Sequence, residues 1–270
     1  SASAPAYYFR GIVPLSYTVL PSHPPPVEAK VRHEGAVPPC GSWPAGTYFG
    51  DGSGGAYGKY PALRRCGVGV ARIRCKDDDV SATPLFEFGI FFQLPGLVQT
   101  VPRSEASALL TVLQHVGHGS QVEFVTDNKS VKMTYDKGSG AVHLSKNDDI
   151  FSQIFALVKA KQLSVTVLWM PSHADKDETK RAKLPDWCTR FNIYGNKQAD
   201  RLAEQAARYG QVPQHLAQPI MARIVNARKI KLRVAIIMCN LPHRPRLQLP
   251  KPLPPPKIRS EEHTSELQSH

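Results

Sequence analysis

Residues 85–127, LFEFGIFFQLPGLVQTVPRSEASALLTVLQHVGHGSQVEFVTD, decide the fold. The first ten are dense in aromatic and β-branched side chains, which suit a pleated, half-buried strand. Pro102 sits where the first turn of a helix tolerates a missing N–H. SEASALLTVLQHV follows with Ala106, Leu109, Leu110 and Leu113 at three- and four-residue spacing, an amphipathic helix. QVEFVTD (121–127) then returns to a strand. A strand, a helix and a second strand form the crossover that joins parallel strands.

Upstream, GTYFGDGSGG (46–55) reads as a strand running into a glycine-rich turn. RRCGVGVARI (64–73) reads as another, with Val68, Val70 and Ile73 as its apolar positions. With 85–94 these make three consecutive strands, the pattern of an antiparallel meander. Downstream, DDIFSQIFALVKAKQ (148–162) places Ile150, Ile154, Leu157 and Val158 on one helical face. LSVTVLWM (163–170) is a fifth strand, and GNKQADRLAEQAARYG (195–210) is a helix closed by Gly210. The expected fold class is α/β: a mixed five-stranded sheet, meander plus parallel strands, flanked by helices.

Outside this body the composition changes. Of 24 prolines, nine lie in 1–45 and seven in 241–258. Segments such as PSHPPP and LPKPLPPPK favour extended polyproline II over packed structure. The net charge of +12 is concentrated too: residues 211–258 hold nine Lys and Arg and no acid. Such a segment suits a polyanion, with nucleic acid the foremost candidate, or is a solvated tail. Within it PIMARIVNA has helical spacing, whereas RKIKLRVAI alternates as a strand would or is unstructured. The expected organisation is a Pro-rich linker (1–45), a folded domain (46–210) and a basic Pro-rich extension (211–258). Residues 259–270, RSEEHTSELQSH, resemble a translated sequencing adapter and are set aside as non-native. The chain begins at Ser1 without Met or a signal-peptide pattern and reads as a piece of something longer. No run of 18 apolar residues occurs, which excludes a helical membrane span. Five cysteines, odd in number and unclustered, argue against a disulfide framework or zinc module and for an intracellular setting, nuclear or cytoplasmic.

Four carboxylates fall at strand ends or helix starts: Asp51, Glu105, Asp127 and Asp200. Each has an ordinary reading alone, as turn former, helix-start acid or cap. Together, with Asp51 and Asp127 on neighbouring strands and the other two facing them from helices, they would repel unless cations neutralised them. Mg²⁺, with Mn²⁺ as substitute, suits such an all-oxygen set. Two such ions about 4 Å apart can activate water and stabilise a leaving oxygen at a phosphodiester.

YFGDGSGG, QTVPRSEASALL, VEFVTDNKSV, WMPSHAD and YGNKQADRLAEQAA, in this order over about 165 residues, resemble a type I ribonuclease H domain of the retrotransposon kind. The resemblance implies a ribonuclease H-like fold and an endonuclease that cuts the RNA strand of an RNA–DNA hybrid, leaving 3′-hydroxyl and 5′-phosphate ends. It makes Asp51, Glu105, Asp127 and Asp200 the ligands of two metal ions, and His173 a mobile proton-transfer residue. It also implies that other domains of a retroelement polyprotein accompany this one. Cellular relatives carry asparagines before the helical glutamate; here Val101 and Pro102 stand there. Substrate contact is then expected from Gly52, Ser53, Gly54, Gln99, Asn128 and Asn196.

Between His173 and Asp200 the chain is longer than in compact cellular enzymes. Lys176, Lys180, Arg181 and Lys183 there could touch a nucleic-acid backbone, and Trp187 and Phe191 could stack on a base or anchor the loop. Two other readings compete: a catalytically decayed nucleic-acid-binding module, and integrase-like strand transfer. The second wants a late glutamate, and only Glu178 in a charged loop could serve. A proofreading exonuclease wants an acidic pair one residue apart, which Asp51-Gly52-Ser53 does not supply.

Overall fold

A computed structural model describes residues 29–75, 83–172 and 178–241. The chain forms two units, Pro14–Ala227 and Ser1–Val13 with Arg228–His270. In the larger unit, strands β1 (Arg32–Gly35), β2 (Gly46–Ser53), β3 (Gly67–Cys75), β4 (Pro84–Gln93), β5 (Gln121–Thr126) and β6 (Ser164–Trp169) make one sheet. Its order is β1-β4-β3-β2-β5-β6. The meander β2, β3, β4 is antiparallel, while β5 joins β2 and β6 joins β5 in parallel. The helices are α1 (Val101–His115), α2 (Lys129–Asp136), α3 (Asp148–Ala160), the single turn α4 (Glu178–Arg181), α5 (Arg190–Tyr209) and α6 (Gln214–Asn240).

Successive strand side chains point to opposite faces, and both faces here are apolar. On one, Tyr48, Val70, Phe88 and Phe124 pack with Leu109 and Leu113 of α1 and Ile154 of α3. On the other, Phe49, Ala71, Phe91 and Val125 meet Ala199, Leu202 and Ala206 of α5. The result is the mixed α/β sheet with flanking helices anticipated from the sequence. The small residues of α5 let its backbone ride close to the sheet. At Gly69 a Cβ would lie 2.4 Å from both the Ala199 carbonyl oxygen and the Ala203 nitrogen.

Three expectations need correction. The sheet has six strands, because β1 pairs antiparallel with β4, Arg32 opposite Phe91. Residues 29–45 are therefore part of the fold, not linker. Trp43 is only 2% exposed, stacks on Tyr48 and donates its indole N–H to the Pro38 carbonyl. Proline excludes regular interior structure, yet four residues between prolines suffice for an edge strand. Arg201 of α5 donates two hydrogen bonds to the Glu34 carboxylate, and the Arg32 guanidinium lies over the Tyr209 ring. Packing also continues past Gly210: Ala217 and Ile220 of α6 cluster with Leu63 and Val212, flanked by Tyr57 and Tyr60. Finally, RKIKLRVAI is helical within α6. Lys, Arg, Leu and Ala are good helix formers, and their propensity prevails over a short alternation. The segments 1–28, 242–258 and 259–270 lie outside the described residues.

Candidate active site

Parallel pairing of β2 with β5 runs to Phe49 opposite Val125. Two residues further on stand Asp51, on β2, and Asp127, just past the end of β5, which a continued register would carry to the same level and face. Asp51 is inside β2, opposite Gly69, rather than at the strand's end. Glu105 arrives from the other side. Helix α1 crosses so near β2 that a Cβ at Gly52 would lie 2.2 Å from the Ser104 hydroxyl and 3.0 Å from the Glu105 nitrogen. Glycine next to Asp51 is therefore what lets Glu105 reach it. Ligand atoms of Asp51, Glu105 and Asp127 all lie within 4.8 Å of one another. Asp51 is 6% and Glu105 1% exposed.

Neighbouring groups hold the cluster in place. The Gly52 N–H donates to Asp51 Oδ1 at 2.7 Å. The Thr126 hydroxyl donates to Glu105 Oε2 at 2.9 Å and accepts the Asn128 N–H at 3.1 Å. From β6, Trp169 Nε1 donates to the Asp127 carbonyl at 2.9 Å, with Lys129 Nζ 5.6 Å from the indole centroid.

Burial pushes the Asp51 carboxyl up to about 7, and the Asp127 and Asp200 charges push the same way. Hydrogen bonds from Glu105 and the Gly52 N–H oppose this. Glu105 is raised well above the ordinary range, first by burial, then by the charges of Asp51 and Asp127. Without a cation, the cluster retains a proton. The donors are mutually repelling carboxylate oxygens alone, two of the three carboxylates buried and Asp127 half-buried, which fits a hard divalent cation such as Mg²⁺. A bound cation would displace the retained proton.

This has a consequence for stability. The folded-state pKa values of Asp51 and Glu105 exceed their unfolded values, so the native state keeps protons that the unfolded chain releases. Stability of the metal-free protein therefore falls as pH rises from about 4 to about 7. In EDTA the melting temperature should drop by roughly 5 °C between pH 5 and pH 8, and Mg²⁺ should restore it at pH 8. Melting curves that ignore both pH and Mg²⁺ would contradict a shared buried proton.

The remaining expected site residues are placed differently. Asp200, half-buried on α5, stands outside the three-carboxylate group, though its charge acts on Asp51. His173 lies outside the described residues. Gln99 is committed to the fold: its amide NH₂ donates to the Leu94 and Gly96 carbonyls, and its oxygen accepts the Cys66 N–H. Asn128 caps α2, its side-chain oxygen accepting the Ser130 N–H. The Gly52 N–H is used on Asp51, the Ser53 hydroxyl accepts the Gly55 N–H, and Gly54 is half-buried. Asn196 is buried on α5, and its side-chain oxygen has no hydrogen-bond partner. Of the two aromatics between His173 and Asp200, Phe191, in the first turn of α5, packs edge-on against Phe49, and Trp187 joins the same core, so both serve as anchors. Sequence reasoning missed Thr126 and Trp169. The signal for the threonine was its place directly before Asp127, and for the tryptophan its place at the end of the neighbouring strand.

No family model and no curated protein matches the chain. Solved structures similar to it include the PFV RNase H domain, 16% identical over 60% of this chain and 94% of that one, with a TM-score of 0.44. LC9-RNase H1, described as a type 1 RNase H with the type 2 active-site motif, is 14% identical over 69% of this chain and 87% of its own, at 0.43. Prototype foamy virus protease-reverse transcriptase is 18% identical over 65% of this chain, at 0.41. This chain spans 22% of that protein. Two of the similar structures named here are thus ribonucleases H, and the third is a viral protease-reverse transcriptase.

Proposed function

We propose that this chain is a metal-dependent nuclease that hydrolyses the RNA strand of RNA–DNA hybrids. The observation that carries the reading is the convergence of Asp51, Glu105 and Asp127, on three different elements, to within 4.8 Å. Carboxylates so close, two of them buried, repel one another unless a cation or a shared proton neutralises them. Asp51, Glu105 and Asp127 would hold the ion, with Asp200 approaching Asp51 from α5. Bound Mg²⁺ or Mn²⁺ would supply an activated water and charge neutralisation at the scissile phosphate. The chain's own work is positional: β2 and β5 fix two carboxylates in register, and α1 delivers the third. A second ion, His173 as the proton carrier, an intracellular setting and companion retroelement domains belong to the same proposal. The motif order of the sequence supports them.

The test uses the full chain with labelled RNA–DNA hybrid and Mg²⁺, beside single-stranded RNA, duplex RNA and duplex DNA. Cleavage of the hybrid's RNA strand alone, leaving 3′-hydroxyl and 5′-phosphate ends, is expected. A folded chain that cuts nothing and binds no Mn²⁺ would favour the decayed binding module instead. Equal cutting of all four substrates would refute hybrid specificity.

A further inference from the structure

We propose that Thr126 is the positioning residue of this site: its hydroxyl sets the conformer in which Glu105 can act as a metal ligand, and couples it to the turn that carries Asp127. The inference rests on the nuclease reading above and goes one step inward from it. Thr126 is fully buried at the last position of β5, on the face opposite Val125 and toward α1. A hydroxyl has one proton and two acceptor positions. The Asn128 N–H occupies one acceptor position at 3.1 Å, and the hydroxyl proton goes to Glu105 Oε2 at 2.9 Å. The direction of that bond is set by the carboxylate, which in its ionised, metal-binding form can only accept.

Two consequences follow for the carboxylates. Glu105 has three side-chain torsions, and its carboxylate is held by two hydrogen bonds, one with Asp51 and one from Thr126, of which the threonine's comes from outside the carboxylate cluster. Thr126 itself is stiff, because its branched Cβ sits in a strand with restricted χ1. The same oxygen also holds the Asn128 N–H one residue past Asp127, so α1 and the end of β5 are tied through one atom. From the other side, Trp169 Nε1 holds the Asp127 carbonyl. Partners one step removed from metal ligands commonly set metal affinity in this way.

The test compares wild type, Thr126→Val, which keeps the shape but lacks the hydroxyl, and Thr126→Ser, which keeps the hydroxyl. Mn²⁺ alone is titrated calorimetrically into the full chain, and kcat and KM for hybrid are measured against Mg²⁺ concentration. Thr126→Val should bind Mn²⁺ about 10–100-fold more weakly. Its kcat should fall at limiting Mg²⁺ and recover at high Mg²⁺, with KM for hybrid unchanged. Thr126→Ser should stay within about threefold of wild type on each measure. A purely structural role would lower the melting temperature and leave metal affinity and its kcat dependence alone. If Thr126→Val does not fold, Thr126→Ala takes its place in the comparison. Unchanged Mn²⁺ affinity without the hydroxyl, or a serine variant as weak as valine, overturns the proposal while the nuclease reading stands. Wild type that neither binds Mn²⁺ nor cleaves overturns both.

Discussion

Asp127→Asn abolishes hybrid cleavage, by at least about 10³-fold, and at the same time raises the melting temperature of the metal-free protein. The two effects share one cause. Asp127 is one of three carboxylates whose oxygens lie within 4.8 Å of one another, and its charge raises the pKa of both Asp51 and Glu105. In the proposed nuclease a neutral amide would remove one of the groups that hold the ion, worth roughly 4 kcal/mol of barrier. It would also remove a like charge from the metal-free cluster. The gain should be about 1 kcal/mol, or roughly 2–4 °C. The measurements are single-turnover cleavage with Mg²⁺ and thermal melting in EDTA. Wild-type turnover would remove Asp127 from the site; a variant less stable than wild type in EDTA would deny the repulsion.

Gly69→Ala is expected to be strongly destabilising for a single added methyl group. Its Cβ would press on backbone atoms of α5, the Ala199 oxygen and the Ala203 nitrogen, neither of which can rotate aside. The helix has to move as a body or the strand has to bend, at a cost of about 3 kcal/mol and near 10 °C in melting temperature. Because Gly69 lies opposite Asp51 and α5 carries Asp200, the displacement would also separate these two residues. Gly140→Ala, with nothing within 4 Å of its added Cβ, is the control. Equal stability of the two variants by chemical denaturation would show that α5 does not need the glycine.

The sequence made the meander, the crossover helix and the parallel strand legible because each carries its own period. The carboxylates were legible only as a set, since each alone reads as a turn former, helix-start acid or cap, whereas their order on strands and helices does not. What escaped notice had no such period. RHEG at 32–35 shows no apolar alternation, since an edge strand needs only backbone pairing. Thr126 and Trp169 act through one or two side-chain hydrogen bonds, and no spacing rule distinguishes them from other strand residues. Gln99 was misread in the opposite direction. An amide before the glutamate helix suggests substrate contact, yet the β4–α1 connection uses its amide NH₂ and the Cys66 N–H before β3 uses its oxygen. Residues 228–236 misled because eight alternating positions fit a strand and a basic helix equally well until packing decides.

Strand β1 has a further consequence, for solubility. Its partner β4, PLFEFGIFFQ, is the most apolar and aromatic strand of the sheet. Residues Arg32 to Gly35 pair with Phe88 to Phe91 along the outer edge of that strand. Without them β4 would present unpaired N–H and carbonyl groups beside a row of phenylalanines, a template for adding strands from other molecules. A fragment trimmed to begin at residue 46 would keep every carboxylate of the site and still be prone to aggregate through this edge. Four residues bearing Arg32, His33 and Glu34, flanked downstream by Pro38 and Pro39, act as a gatekeeper between a monomeric domain and a sheet that grows from chain to chain.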